Sequence, residues 1–269
     1  DKTRAPEADV ILVRAKTICD KAYIDAAKNA KLIIRGGVGI DNIDKTYAES
    51  KGIIVRNTPK ASSIAVAELT FALMLSAPNH VITYHNGMKN GEWLKNIKRT
   101  ELYGKTLGLL GIGNIATKVA ERAKAFGMNV VAYDKYVSSS AVATLVPTVE
   151  DAVKDADYIS IHMPLTDETR NMFNADLFAK MNRKPVIINA ARGAIVNADD
   201  MVKALDDGQV TCYCADVYPS DPPAPDYPLL KSDKVILTPH VGANSKENLL
   251  RIGDEIVATI KDLKDNCKI

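Results

Sequence analysis

The chain has 269 residues and a mass of 29.2 kDa, a length that suits one large domain or two smaller ones. Hydrophobic residues make up 46% of the chain and charged residues 25%, which excludes a disordered, collagen-like or coiled-coil protein. The 35 basic and 33 acidic residues leave a net charge of +2, so composition gives no reason to expect a nucleic-acid partner.

Apolar runs of strand length alternate with helical stretches along almost the whole chain. The predicted strands cover residues 10–13, 32–34, 53–55, 105–110, 130–133, 158–162, 186–188, 210–215 and 235–237. The predicted helices cover residues 20–30, 64–75, 114–126, 148–155 and 198–207, and a further helix begins at residue 245. A proline-rich loop covers residues 219–228. Because the strands are near-continuous apolar runs, we expect them to be parallel and covered on both faces. The alternation predicts a doubly wound α/β fold.

The cysteines and the apolar runs bear on where the protein works. Cys19, Cys212, Cys214 and Cys267 are too few and too scattered for a disulfide framework, and we predict no metal site from them. Thiols in such a pattern suit a reducing compartment, so we expect a cytoplasmic location. The longest apolar stretch, residues 64–77, is interrupted by a glutamate and is too short to span a bilayer.

A glycine-rich turn joins the fourth predicted strand to the helix that follows it. Gly111, Gly113 and Ala116 occupy the small-residue positions of the dinucleotide-binding fingerprint, where a pyrophosphate would meet the helix N-terminus. Asp134 ends the next strand about twenty residues later, where a carboxylate binds the ribose 2′-hydroxyl and repels a 2′-phosphate. The pattern predicts NAD rather than NADP, although the cation of Lys135 directly after it would tolerate a 2′-phosphate.

A series of motifs resembles, in order and over the whole chain, those of the D-isomer-specific 2-hydroxy acid dehydrogenases. The motifs are Arg35-Gly-Gly-Val-Gly-Ile-Asp41-Asn42, Asn57-Thr-Pro59, Val66-Ala-Glu68, Leu102-x-Gly104-Lys105-Thr106-Leu107-Gly108, Asn189-Ala-Ala-Arg192-Gly193, Asp216-Val217 and Thr238-Pro-His240-Val-Gly242-Ala243. The resemblance implies a Rossmann NAD-binding domain at residues 59–245. It also implies a discontinuous, flavodoxin-like substrate domain at residues 1–58 and 246–269, with the active site in the cleft between the domains. The family has a further strand and helix before the position of Asp1, so we expect this substrate domain to be incomplete at its N-terminus.

The resemblance also implies three catalytic residues. Arg192 would hold the carboxylate of a 2-keto acid and polarise its carbonyl, a task that suits the arginine fork. His240 would supply the proton to the developing alkoxide, and an acid would orient it. The family has glutamate in this third position, whereas this chain has Asp221, which is one methylene shorter. Either the loop moves inward to restore the bond to His240, or the pair is slack. His80 and His85 are interpreted as structural histidines.

The same resemblance implies which residues bind the cofactor and the substrate. The cofactor contacts would be Gly111, Gly113, Asn114, Ile115, Asp134, His162, Pro164, Thr169, Ala190, Arg192, Asp216, His240 and Gly242. The substrate contacts would be Arg14, Lys16, Arg35, Val38, Gly39, Arg192 and His240. Backbone amides at Val38 and Gly39 would cradle a carboxylate, and Arg14, Lys16 and Arg35 would meet a phosphate. Residues 95–99 are a candidate for a phosphate contact across subunits.

These residues predict an NAD-dependent oxidoreductase that acts on a D-2-hydroxy acid. Val13-Arg14, Arg35 and residues 242–247 are most similar to the phosphoglycerate dehydrogenase branch of the family. That similarity implies oxidation of 3-phosphoglycerate to 3-phosphohydroxypyruvate in serine biosynthesis by a homodimer, with no nucleic-acid or membrane partner. The alternatives are a glycerate, hydroxypyruvate or D-lactate dehydrogenase, and an NAD-sensing corepressor-like protein built on the same fold.

Overall fold

The structure is a computed structural model that describes residues 2–266 and 268–269. It divides the chain into two compact units. The terminal unit joins the two chain ends, Asp1–Ala65 and Ala243–Ile269, and the central unit is Val66–Gly242. Each unit contains a parallel sheet of its own.

Strands and helices alternate in both units. The strands are β1 (Val10–Val13), β2 (Leu32–Arg35), β3 (Ile54–Asn57), β4 (Thr106–Leu110), β5 (Asn129–Tyr133), β6 (Thr144–Leu145), β7 (Tyr158–Ile161), β8 (Val186–Asn189), β9 (Cys212–Ala215) and β10 (Val235–Leu237). The helices are α1 (Lys21–Ala26), α2 (Lys45–Ser50), α3 (Ser63–Ser76), α4 (Val81–Lys89), α5 (Asn114–Ala125), α6 (Val149–Val153), α7 (Ala175–Phe178), α8 (Ala198–Asp206) and α9 (Lys246–Asp265). Short 3₁₀ helices lie at Lys2–Glu7, Gly193–Ile195 and Pro228–Lys231. Every predicted strand is found within two residues of its expected ends, whereas β6, α2, α4 and α7 were not predicted.

The terminal unit is built on a three-stranded parallel sheet in the order β1-β2-β3. Leu32 and Ile34 of β2 pack with Ile252 and Ile256 of α9 on one face of the sheet. The opposite face carries Ile33, which belongs to a core that α1 and α2 also enter. Alternate residues of β2 are therefore buried on opposite faces, which explains its unbroken apolar sequence.

The boundaries between the units differ from the predicted ones, which lay at residues 58/59 and 245/246. The chain enters the central unit after residue 65 and leaves it after residue 242. The segment after β3 stays with the terminal unit because α9 binds it. The carboxylate of Glu255 accepts hydrogen bonds from the backbone N–H groups of Lys60 and Ala61, and the amide of Asn248 donates to the Ser62 hydroxyl at 3.2 Å.

The central unit is a seven-stranded parallel sheet in the order β10-β9-β8-β7-β4-β5-β6. Helices cover both faces, and their apolar residues form two cores with the strands. The strand order reverses at β4, whose neighbours are β5 on one side and β7 on the other. Ligands bind beyond the carboxyl ends of the strands at such a reversal. The predicted doubly wound α/β fold is confirmed.

The first helix of the central unit is part of its core. Phe71, Leu73 and Met74 of α3 are buried at 5% exposure or less. Across the part of the chain that the structure describes, no single helix is long and apolar enough to cross a membrane. The helices α3 and α4 taken together reach that length and apolarity, and they are bent by 65° at the break between them.

The cysteines that the structure describes form no disulfide. Cys19 and Cys214 are buried, and the sulfurs of Cys212 and Cys214 lie 3.9 Å apart on β9. Cys267 lies outside the described residues. Within residues 2–266 and 268–269, no group of three or more histidine, cysteine or acidic side chains is placed to hold a metal ion.

Candidate cofactor and active site

Most of the predicted site residues lie at one edge of the central sheet. They follow the carboxyl ends of neighbouring parallel strands, and such ends share an edge. In the order of the strands from β10 to β5, the residues along this edge are His240, Asp216, Arg192, His162, Gly111 and Asp134. The three predicted catalytic residues therefore belong to the loops after β8, β9 and β10.

The turn after β4 has the geometry that a pyrophosphate site requires. Gly111 has a φ of 91°, and a Cβ there would lie 2.8 Å from the carbonyl oxygen of His162, so only glycine fits. A Cβ on Gly113 would meet nothing within 4 Å, which leaves space in front of the start of α5. The N-cap residue Gly113 makes no side-chain capping bond. The space and the helix N-terminus behind it fit a bound diphosphate.

Backbone amides hold the carboxylate of Asp134 beside this turn. One oxygen accepts from the N–H of Ile112 at 2.9 Å, and the other accepts from Tyr136 at 2.8 Å and Val137 at 3.1 Å. A carboxylate has about four acceptor positions, so it retains capacity for a ribose hydroxyl. The orientation of the Asp134 carboxylate is thus fixed by backbone hydrogen bonds without a ligand.

Lys135, the cation that argued against an NAD preference, is bound to Glu168. Its Nζ lies 2.8 and 2.7 Å from the two carboxylate oxygens of Glu168. The hydrogen bond to Glu168 raises the pKa of Lys135 above its usual value. Because its charge is matched by Glu168, Lys135 offers less attraction to a 2′-phosphate.

The turn after β8 presents Arg192 and is fixed by its neighbours. Gly193 packs against the backbone of Tyr218, since a Cβ on Gly193 would lie 2.1 Å from the Tyr218 carbonyl carbon. The Tyr218 hydroxyl in turn donates to the carbonyl of Thr238 at 2.8 Å. The loops after β8, β9 and β10 are thereby joined. Sequence reasoning did not identify Tyr218 as a site residue.

Asp216 organises the loop that carries His240. Its carboxylate is buried at 2% exposure and accepts from the Thr238 hydroxyl at 2.6 Å and from the N–H groups of Val241 and Gly242 at 2.8 Å each. Its predicted role as a cofactor contact stays a prediction, because these bonds show it holding the loop after β10. Thr238 was quoted in the family motif but was not predicted as a site residue.

His240 and Asp221 are in contact. The Nδ1 atom of His240 is bonded to a carboxylate oxygen of Asp221. His240 has a φ of 53°, a left-handed conformation that is uncommon outside glycine and is found at functional sites. Its side chain remains 41% exposed. Of the two alternatives for the shorter Asp221 side chain, the structure shows the one in which the loop restores the bond.

The loop after β7 carries three further predicted cofactor contacts, His162, Pro164 and Thr169. The Nε2 atom of His162 lies 2.8 Å from the Ser160 hydroxyl, and burial lowers the pKa of His162 from 6.5 to about 4. Thr169 is 5% exposed, and its hydroxyl donates to the Pro164 carbonyl at 2.7 Å and accepts from Thr166 at 2.8 Å. The buried Thr169 side chain therefore stabilises the conformation of this loop through these two hydrogen bonds.

In the terminal unit, two loops that carry predicted substrate contacts lie together. The side-chain amide of Asn42 donates to the carbonyls of Arg14 at 3.2 Å and Thr17 at 2.6 Å, which ties the loop after β2 to the loop after β1. Within the described residues, no hydrogen-bond acceptor meets the N–H groups of Val38 and Gly39. These amides fit the predicted carboxylate cradle.

The three predicted phosphate contacts differ in exposure. Arg14 and Lys16 are exposed on the loop after β1. Arg35 is half-buried, and its guanidinium lies against Gly37, where a Cβ would come within 2.4 Å of it. Arg14 and Lys16 are therefore better placed than Arg35 to meet a ligand from solvent.

Comparison with known proteins identifies the chain. Residues 71–242 match the family model described as D-isomer specific 2-hydroxyacid dehydrogenase, NAD binding domain. The chain belongs to the D-isomer-specific 2-hydroxyacid dehydrogenase family. The matched residues cover nearly all of the central unit, Val66–Gly242, which is therefore the family's NAD-binding domain.

Relatives within the family differ in the reaction for which they are named. The D-3-phosphoglycerate dehydrogenase of Methanocaldococcus jannaschii is 43% identical over 95% of this chain and 49% of that protein. The hydroxypyruvate reductase of Thermotoga maritima is 41% identical over 95% of this chain and 84% of that protein. A crystal structure of D-lactate dehydrogenase from Aquifex aeolicus, complexed with NAD and lactic acid, has a TM-score of 0.88 and 30% identity, and the match covers 99% of this chain and 86% of that chain. The chain spans about half the length of the phosphoglycerate dehydrogenases that it matches.

We expect Asp134→Ala to reduce the preference for NAD over NADP roughly tenfold, the effect of losing one hydrogen bond to a charged group. The ratio of the two dissociation constants, measured by titration with NADH and NADPH, checks this. Glu168→Gln is the companion variant, because it should release Lys135 and improve only NADPH binding. Equal affinity of the unmutated protein for both cofactors would contradict the assignment.

We expect His162 to make stability depend on pH in the weakly acidic range. Because its folded pKa is about 4 and its unfolded value is near 6.5, its contribution is complete above pH 6.5 and is lost as the pH falls towards 4, to a total of roughly 3 kcal/mol. His162→Gln retains a polar partner for Ser160 and should flatten this part of the profile. The free energy of unfolding in urea at pH 7, 6, 5 and 4.5 measures it. An equal loss of unfolding free energy with falling pH in the unmutated protein and in His162→Gln would show that other groups cause the pH dependence.

Proposed function

We propose that the protein interconverts a D-2-hydroxy acid and the corresponding 2-keto acid by NAD-dependent hydride transfer. The bonded pair of His240 and Asp221 carries this proposal, because it lies in the NAD-binding domain at the sheet edge that also holds Arg192. A histidine fixed by a carboxylate on one nitrogen and accessible on the other is suited to proton transfer.

Each protein group has a role that follows from its chemistry. The guanidinium of Arg192 would bind the substrate carboxylate with its fork and polarise the 2-keto oxygen. The nicotinamide, when bound, would supply the hydride to C2 of the keto acid or accept it from C2 of the hydroxy acid. As charge develops on the 2-oxygen during reduction, Nε2 of His240 would donate a proton to it, and in oxidation the same nitrogen would accept it. Asp221 on Nδ1 keeps the ring in the tautomer and orientation that this requires.

The finer proposal is that the substrate is 3-phosphoglycerate, which would place the reaction in serine biosynthesis. The 43% and 39% identity to two phosphoglycerate dehydrogenases supports it. So do the exposed cations of Arg14 and Lys16, which lie on the loop that Asn42 ties to the loop of Val38 and Gly39. The cations would bind the phosphate, and the backbone amides of Val38 and Gly39 would bind the carboxylate. The homodimer and the cytoplasmic location predicted from the sequence stay predictions.

A second candidate is hydroxypyruvate reduction. It is favoured by the 41% identity to a hydroxypyruvate reductase of which this chain covers 84%. The two substrates share the carboxylate and keto group and differ in the phosphate. Discrimination between them therefore depends on cations in the terminal unit rather than on the catalytic residues.

Steady-state NADH consumption with phosphohydroxypyruvate, hydroxypyruvate, pyruvate and 2-ketoglutarate tests both proposals. We expect the highest kcat/KM with phosphohydroxypyruvate, and Arg14→Ala should raise KM for this substrate at least tenfold more than for hydroxypyruvate. Lys28→Ala, which removes another exposed cation of the terminal unit, is the matched control. An equal effect of Arg14→Ala on both substrates would reject the phosphate contact, and no turnover of any 2-keto acid would reject the function.

A further inference from the structure

Asn189, the last residue of β8, is fully buried and lies at the base of the Arg192 turn. Its side-chain nitrogen donates to the Arg192 carbonyl at 3.0 Å and to the Tyr213 hydroxyl at 3.1 Å. Its side-chain oxygen accepts from the N–H of Ala191 at 3.0 Å. One amide thus binds the turn at two points and is itself held by a tyrosine from β9.

The orientation of this amide follows from its partners. The Ala191 N–H can only donate and the Arg192 carbonyl can only accept, so each end of the amide has one possible role. Both hydrogens of the nitrogen are used, the second by Tyr213, which is itself fully buried. No other side chain of this size offers a donor and an acceptor in that arrangement. An aspartate would place an acceptor against the Arg192 carbonyl.

The backbone of Asn189 also reaches the other catalytic loop. Its carbonyl accepts from the N–H of Asp216 at 3.0 Å, and the Asp216 carboxylate holds the backbone of Val241 and Gly242 beside His240. The side-chain bonds of Asn189, however, are directed to the Arg192 turn. A side-chain substitution should therefore disturb Arg192 and leave the His240 loop in place.

We propose that Asn189 is a positioning residue that fixes the backbone from which Arg192 meets the substrate carboxylate, and that Tyr213 fixes the amide of Asn189. The inference rests on the proposed function, because it assigns Arg192 to the substrate. A displacement of a binding group by about 1 Å can cost 10²-fold in rate. Asn189 would act on catalysis only through Arg192.

Enzyme kinetics provide the first test. Asn189→Ala should lower kcat/KM for the preferred 2-keto acid roughly 10²-fold. The NADH dissociation constant should change far less, although Ala190 and Arg192 of this turn are also predicted cofactor contacts. Tyr213→Phe, which keeps the buried ring, should give a smaller loss of the same kind. In an Arg192→Ala background, Asn189→Ala should cost nothing further, as expected of residues that act as a unit. Ile188→Val, at the adjacent buried position of β8, controls for lost stability alone.

Hydrogen exchange provides a second test that needs no turnover. The Ala191 amide is bonded to Asn189 and should exchange slowly in the unmutated protein and faster in Asn189→Ala and Tyr213→Phe, with the rest of β8 unchanged. Unaltered exchange at residues 190–193 would overturn the inference, whether or not the protein reduces a 2-keto acid. The absence of turnover with every 2-keto acid would instead reject the proposed function. The inference would also be overturned if Asn189→Ala lowered kcat/KM by the same factor in the unmutated and the Arg192→Ala backgrounds. A loss of kcat/KM in Ile188→Val as large as that in Asn189→Ala would overturn it as well.

Discussion

His240→Asn should lower kcat for reduction of the 2-keto acid roughly 10²- to 10⁴-fold, which is the usual contribution of a placed proton donor. Asparagine is preferred to alanine here because residue 240 has a φ of 53°, which asparagine tolerates at little cost. The variant therefore removes the imidazole without straining the loop. His240→Ala should lose as much activity and some stability besides.

The measurement is single-turnover oxidation of NADH, with NADH affinity determined separately by titration. The affinity should fall far less than kcat, because His240 is only one of several predicted cofactor contacts but is the predicted proton donor. His85→Asn is the matched control, since His85 is exposed on α4 and lies far along the chain from the catalytic loops. Retention of more than a tenth of kcat in His240→Asn would reject the proton-transfer role.

The sequence was sufficient to predict the order of the strands and the glycine-rich turn of the cofactor site. Near-continuous apolar runs predicted every parallel strand except the two-residue β6, since burial on both faces leaves few polar positions along a strand. The fingerprint fixed Gly111 and Asp134, because a local backbone requirement determines the residue type. These features depend on short stretches of chain and are therefore visible in the sequence itself.

Features that depend on distant contacts were not visible. The boundary of the terminal unit depends on Glu255 binding the N–H of Ala61, which is 194 residues away in the chain. The helix α4 begins after His80, which has a positive φ and makes no side-chain capping bond, so the sequence contained no start signal that predicts this helix. Asn189 stood inside a quoted motif, yet its role required the position of Tyr213, 24 residues further along. Side-chain hydrogen bonds of this kind follow from the fold and not from local pattern.

Asp221→Asn should reduce kcat by roughly 10²-fold or more with little change in NADH affinity. The carboxylate accepts the Nδ1–H of His240 and so leaves Nε2 for the substrate. An asparagine can turn its NH₂ group toward Nδ1 and so favour the other tautomer, in which the wrong nitrogen carries the proton. Ser220→Ala is the control, because Ser220 bonds to the Pro222 carbonyl in the same loop.

Asp221→Glu separates a fitted pair from a slack one. The glutamate of the family is one methylene longer, and a slack pair would gain from it with a rise in kcat. Because the Asp221 carboxylate already reaches His240, the added methylene has no gap to fill and must displace either the ring or the loop. We therefore expect kcat to be unchanged or lower, while Asp221→Asn remains the more damaging change. An increase in kcat for Asp221→Glu under saturating NADH would show that the bond is not maintained during turnover, and the aspartate would then be a weakened version of the family's acid.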